Sequence, residues 1–112
     1  MELQVSNQSG YVLATSKGPI DASAEKVFRE QLFPLVGCGG TNLVLDLSQS
    51  KLITSQGVGQ LVTLVAHANT HSGRVILASC SSFVSIVLTR CKLDKFFETA
   101  PTVDIAVQSL AS

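Results

Sequence analysis

Leu3 and Val5 alternate with polar residues at the start of the chain, and Tyr11-Val12-Leu13-Ala14 follows the turn pair Ser9-Gly10. Period-two alternation on either side of a turn predicts a β-hairpin that ends near Gly18. The spacing changes from Ser23 onward, where Ala24, Val27, Phe28, Leu32 and Leu35 recur at helical intervals. Asp21 or Ser23 is placed to cap the first turn of this helix. Pro34 and then Gly37, Gly39 and Gly40 are expected to terminate it. Asn42-Leu43-Val44-Leu45-Asp46-Leu47 is a short, nearly continuous apolar run, the mark of a buried parallel strand. Leu52 and Ile53 are expected to pack inward, and a second helix opens at Ser55. Val58, Leu61, Val62, Leu64, Val65 and Ala68 line its apolar face as far as Gly73.

The same unit then repeats. Arg74-Val75-Ile76-Leu77-Ala78-Ser79 reads as another buried strand, and Ser81 or Ser82 caps a helix bearing Phe83, Val84, Ile86, Val87 and Leu88. Leu93, Phe96 and Phe97 lead to a short strand or turn at Glu98-Thr99. Pro101-Thr102 introduces a last helix through Ile105, Ala106, Val107 and Leu110. Strands joined by crossover helices run parallel, and the opening hairpin adds an antiparallel strand. The expected fold is therefore α/β: one domain over residues 1–112, with a mixed sheet covered by about four helices.

Composition narrows the function classes. Of the 112 residues, 46% are hydrophobic and 14% charged, which fits a compact globular chain and not a disordered one. Eight Lys and Arg balance eight Asp and Glu without a run of either sign, so no footprint for nucleic acid or an anionic membrane is expected. Met-Glu-Leu-Gln-Val does not resemble a secretory leader, and no apolar run is long enough for a membrane span, so the expected location is the cytoplasm. Cys38, Cys80 and Cys91 are odd in number and lack CxxC spacing, which argues against a disulfide framework or a zinc site. The apolar content leaves self-association open.

Few residues offer catalytic chemistry. His67 and His71 are four apart and share a helix face, but no Cys or carboxylate obviously completes a metal set, so they are read as solvated residues beside the negative helix end. Ser55-Gln56-Gly57-Val58-Gly59 is neither a nucleophile elbow nor a dinucleotide loop, because Ile53 and Val62 stand where each pattern needs glycine. No cofactor and no metal are expected, and a hydrolase using Ser55 lacks a histidine base. Special residue choices nevertheless gather in one stretch. Asp46 closes an apolar strand at the usual mouth of an α/β sheet, where a carboxylate needs water or loop donors. Gly57 and Gly59 each weaken the first helical turn by roughly 1 kcal/mol and leave it open to a close neighbour. Tight helix-to-sheet packing is the plainer account of these glycines, and capping is the plainer account of Ser55.

The run from Leu45 to Gly59, Leu-Asp-Leu-Ser-Gln-Ser-Lys-Leu-Ile-Thr-Ser-Gln-Gly-Val-Gly, resembles the signature of the STAS domain family of bacterial anti-sigma-factor antagonists. In that family an apolar strand ends in Asp or Asn, and a loop leads to Asp-Ser-Ser/Thr-Gly-Leu-Gly. Gly18-Pro19-Ile20-Asp21 and Cys91-Lys92-Leu93-Asp94-Lys95-Phe96-Phe97 resemble two further family segments, in the right order and spacing. The resemblance implies a non-enzymatic partner switch. Ser55 would accept phosphate from an anti-sigma factor that is itself a serine kinase, a phosphatase would remove it, and only the unphosphorylated form would bind the kinase. ATP would belong to the partner. Asp21, Asp46, Thr54, Ser55, Gln56, Gly57 and Gly59 would form the partner-binding rim. Thr54 stands where the family has Asp and is a rival acceptor, and Gln56 replaces a second Ser or Thr. The alternative within the family is a STAS adaptor that is never phosphorylated and serves as a fixed subunit of a larger complex, such as a stress-sensing scaffold or a lipid or anion transport assembly.

Overall fold

The computed structural model describes residues 2–93 and 95–111. Glu2–Gln8 (β1) and Tyr11–Lys17 (β2) form the expected hairpin, paired antiparallel from Glu2 opposite Lys17 to Gln8 opposite Tyr11. Its two-residue connection requires a left-handed residue, and Gly10 supplies it at φ 86°. Asn42–Gln49 (β3), Arg74–Ala78 (β4) and Glu98–Ala100 (β5) then add in parallel, giving the sheet order β1-β2-β3-β4-β5. The mixed sheet of the sequence reading is thus observed.

Helices cover both faces. The first, α1 (24–36), consists of α-helical Ala24–Val27, a π-helical stretch Phe28–Leu32 and α-helical Phe33–Val36. Pro34 does not end it, contrary to the expectation from sequence. Proline lacks the N–H that an α-helical turn would use, and the wider turn, with the Phe33 N–H donating to the Phe28 carbonyl, carries the helix past it. Ser55–Thr70 (α2), Ser82–Arg90 (α3) and Val103–Ala111 (α4) complete the set. Ser81 caps α3, its hydroxyl accepting from the Val84 N–H at 3.2 Å.

Strand alternation divides the core. Leu43, Leu45 and Leu47 point to one face, where Phe28 and Leu32 of α1, Leu61 and Leu64 of α2, and Val84 and Leu88 of α3 bury against them. Val44, Ile76, Ala78 and Ala100 point to the other, beneath Ala106 of α4. Burial of an aliphatic side chain of this size contributes roughly 1.5–3 kcal/mol, so the larger first layer dominates. Leu52, expected inside, is 56% exposed, whereas Ile53 beside it is buried. Ile53 is the one of the two that pairs with Ile20 and turns inward, while Leu52 is left outside. In the Cys91–Phe97 segment, Asp94 lies outside the described residues.

Candidate functional site

The start of α2 is bolted to the loop after β2. The Gly18 N–H donates to the Gln49 carbonyl (3.1 Å), the Ile20 N–H to the Leu52 carbonyl (2.9 Å) and the Thr54 N–H to the Ile20 carbonyl (3.0 Å). Ile20 and Ile53 pair as a parallel bridge, extending the β2–β3 contact beyond the strand ends. The two loops therefore act as one rim at the carboxyl end of the parallel strands, where α/β sheets usually place their binding surfaces.

Thr54 is the residue that caps α2. Its backbone is extended and its Oγ1 accepts from the Gly57 N–H at 3.2 Å. Ser55 is thereby relieved of capping. It sits at the first helical position, exposed, and its hydroxyl has no hydrogen-bond partner among the described residues. Gln56 is exposed beside it. The two glycines part company. Gly57 is buried, and a Cβ there would overlap the carbonyl of Ile20. Gly59 is exposed, with nothing within 4 Å of the space a Cβ would occupy. Gly57 therefore lets helix and loop touch, while Gly59 leaves a bare patch of helix surface one turn beyond Ser55.

Asp21 stands in the same rim. Its carboxylate accepts from the Ser23 N–H (2.9 Å) and the Ser23 hydroxyl. These bonds, the side-chain one foremost, hold its pKa below the usual carboxylate value. Asp46 is placed differently. The strand runs on to Gln49, so Asp46 does not close it as expected, and its Oδ1 accepts from the Ser48 N–H of the same strand at 2.9 Å. The pleat directs it to the face of Val44 and Ala78, opposite the face on which α2 packs. Asp21, Thr54, Ser55, Gln56 and Gly59 are thus brought together, Gly57 lies beneath them, and Asp46 stands on the other side of the sheet.

The rim rests on a buried polar pair that the sequence reading missed. Ser16 and Ser50 are both fully buried, their hydroxyls 2.6 Å apart, and the Ser16 hydroxyl also donates to the Asp46 carbonyl at 3.2 Å. A register shift between β2 and β3 at Thr15–Lys17 makes room for the pair. Alternation through Val12 and Ala14 puts position 16 on a core-facing site, so serine there was the available signal.

The two histidines lie away from this rim, at the other end of α2. His67 is 12 residues beyond Ser55, about 18 Å along the helix. It packs between the Phe33 and His71 rings, with His71 Nδ1 2.8 Å from the His67 carbonyl. No group of three or more metal-ligating side chains occurs among the described residues. Nor is any helix among them long and apolar enough to cross a membrane.

A model of the STAS domain matches residues 2–106. Among solved structures, TM1081 of Thermotoga maritima superposes with a TM-score of 0.89 at 19% identity, covering 98% of this chain and 95% of that one. An anti-sigma factor antagonist of Mycobacterium paratuberculosis does so at 0.83 and 20% identity, covering 99% and 94%. The Bacillus cell-fate determinant SpoIIAA, solved in a phosphorylated form, gives 0.75 and 19%, covering 97% and 99%.

Proposed function

Since the chain belongs to the STAS domain family, we propose that it is a non-enzymatic partner switch of the anti-sigma-factor-antagonist kind, with Ser55 as its phosphate acceptor. The observation that carries this reading is the division of labour at the start of α2, where Thr54 caps and Ser55 is left exposed and unbonded. Ser55 stands one residue past the capping position, so the helix makes no use of its hydroxyl and leaves it free for modification. The match of a SpoIIAA structure solved in a phosphorylated form supports it.

The physical consequences of modification have two signs. A phosphate on Ser55 would lie at the positive end of a 16-residue helix, whose first N–H groups have no intrahelical acceptor. The fold itself would tolerate it. A partner seated on the same rim would instead meet about two added negative charges that must be desolvated or paired. The partner that fits is an anti-sigma factor with serine-kinase activity, opposed by a phosphatase, and ATP is bound by that partner and not by this chain.

The test is a binding comparison with the kinase-type partner encoded in the same host. Ser55→Ala is expected to bind as tightly as the wild type, and Ser55→Glu, with one fixed charge, at least about tenfold more weakly. Equal affinity of the three proteins would leave a constitutive adaptor as the better description.

A further inference from the structure

Beyond the Ser55 rim, three large apolar side chains stand in solvent with no fold-level reason to be there. Leu52, Phe83 and Ile86 are 56%, 47% and 52% exposed. The Ser81 hydroxyl donates to the Lys51 carbonyl at 3.3 Å, tying the start of α3 to the loop that leads to Ser55. Leu52 and Phe83 each lie within two residues of that tie. Ile86 follows Phe83 by three positions on the same face of α3, and Arg90 follows Ile86 by four. Ser85, Ile86, Thr89 and Arg90 line a shallow depression there. The result is a stripe that begins three residues before Ser55 and runs down α3.

Its charge is one-sided. Residues 50–59 and 82–90 contain no Asp or Glu, and their only charged side chains are Lys51 and Arg90. Asp21, in the adjoining loop, is already engaged by Ser23. A second copy is a poor occupant, because a two-fold contact lays the patch on itself and sets cation against cation at both ends. An apolar segment flanked by carboxylates fits both features.

We propose that the Leu52–Phe83–Ile86 stripe, with Lys51 and Arg90 at its ends, docks an apolar, carboxylate-flanked segment of the protein that acts on Ser55. This rests on the reading of Ser55 given above and extends it. The phosphate would add negative charge three residues from Leu52, so one modification both fills the rim and cancels the cationic end of the stripe. Docking would supply affinity, and Ser55 would supply the control.

The experiment places the photo-cross-linker benzoylphenylalanine at position 52, 83 or 86, and at position 105 on α4 as a control, in the full chain expressed in its native host. Cross-linked peptides and the modification state of Ser55 are then mapped together. The expected result is one and the same other protein joined at 52 and 83, through a peptide bearing Asp or Glu, and absent at 105. Lys51→Glu and Phe83→Ser should each weaken that protein's binding about tenfold or more, with unchanged urea midpoints. Cross-linking to a second copy, no cross-link at 52 and 83, or binding within about twofold of wild type in both variants would overturn the proposal. Should the cross-link and its charge sensitivity hold while Ser55 is never modified, the stripe docks a partner that does not act on Ser55, and both this proposal and the phosphate switch fail; loss of the cross-link with Ser55 modified overturns this proposal alone.

Discussion

Gly57 and Gly59 look equivalent in sequence, two positions apart on one helical turn, yet their surroundings assign them opposite consequences. Alanine at 57 must displace the Ile20 carbonyl, which is part of the hydrogen-bonded rim, and is expected to cost about 3 kcal/mol. Alanine at 59 enters open space and should stabilise the helix by up to about 1 kcal/mol. Urea unfolding of the two variants checks both signs. Thr54 and Ser55 form a similar pair. Thr54→Ala removes the cap and should cost about 1 kcal/mol, while Ser55→Ala should stay within about 0.5 kcal/mol of wild type. Asp21 makes a pH prediction. The hydrogen bonds from Ser23 hold its folded pKa below the usual carboxylate value, so the stability it contributes is present above that usual value and is lost as pH falls through the folded pKa. Asp21→Asn should flatten the acid limb of a stability–pH curve below about pH 4 and leave neutral pH unaffected by this linkage. An unchanged acid limb would remove Asp21 from the rim's electrostatics.

At the level of elements, periodicity revealed what it physically encodes and missed what depends on the third dimension. The buried strands at Asn42–Gln49 and Arg74–Ala78 and the helix from Ser55 were legible because burial on both faces, or on one, leaves a repeating apolar pattern. Pro34 misled because a π turn can absorb a missing N–H, and local sequence does not announce that. The sequence puts five apolar residues, Phe83, Val84, Ile86, Val87 and Leu88, on helix α3 without assigning each to a face. Only one side of a nine-residue helix can face the sheet, so Val84 and Leu88 are buried while Phe83 and Ile86 are left outside. The Ser16–Ser50 pair joins residues 34 positions apart, so local sequence can mark Ser16 as a polar residue at a core-facing site but cannot name its partner. Removing Ser16 leaves Ser50 without its buried partner and should cost about 1–3 kcal/mol. Ser50→Ala should cost less, since Ser16 keeps its bond to the Asp46 carbonyl. The double variant should be milder than the sum of the two. Strict additivity in denaturant titrations would show that the two hydroxyls are not coupled.

For the whole molecule, crossover connections and the hairpin were enough to predict a mixed sheet, while the order β1 to β5 is given by the structure. The rim's composition was legible in part. Asp21, Thr54, Ser55, Gln56 and Gly59 do meet, because the backbone bonds around Ile20 join two loops that sequence could only place in succession. Asp46 was assigned to the same rim from its position at a strand end, but the pleat decides which face a strand residue serves. Asp21 and Ser55 lie on the rim bonded around Ile20, and Leu52, Phe83 and Ile86 are exposed beyond it. Control of partner binding by phosphate on Ser55 is the proposal on which the rest depends. Its most direct test is intact-mass and fragmentation analysis of the protein from its native host across growth conditions, before and after phosphatase treatment. The account predicts a phosphatase-sensitive gain of about 80 Da located on Ser55. Protein that is unmodified under every condition, or modified only away from Thr54 and Ser55, would contradict it.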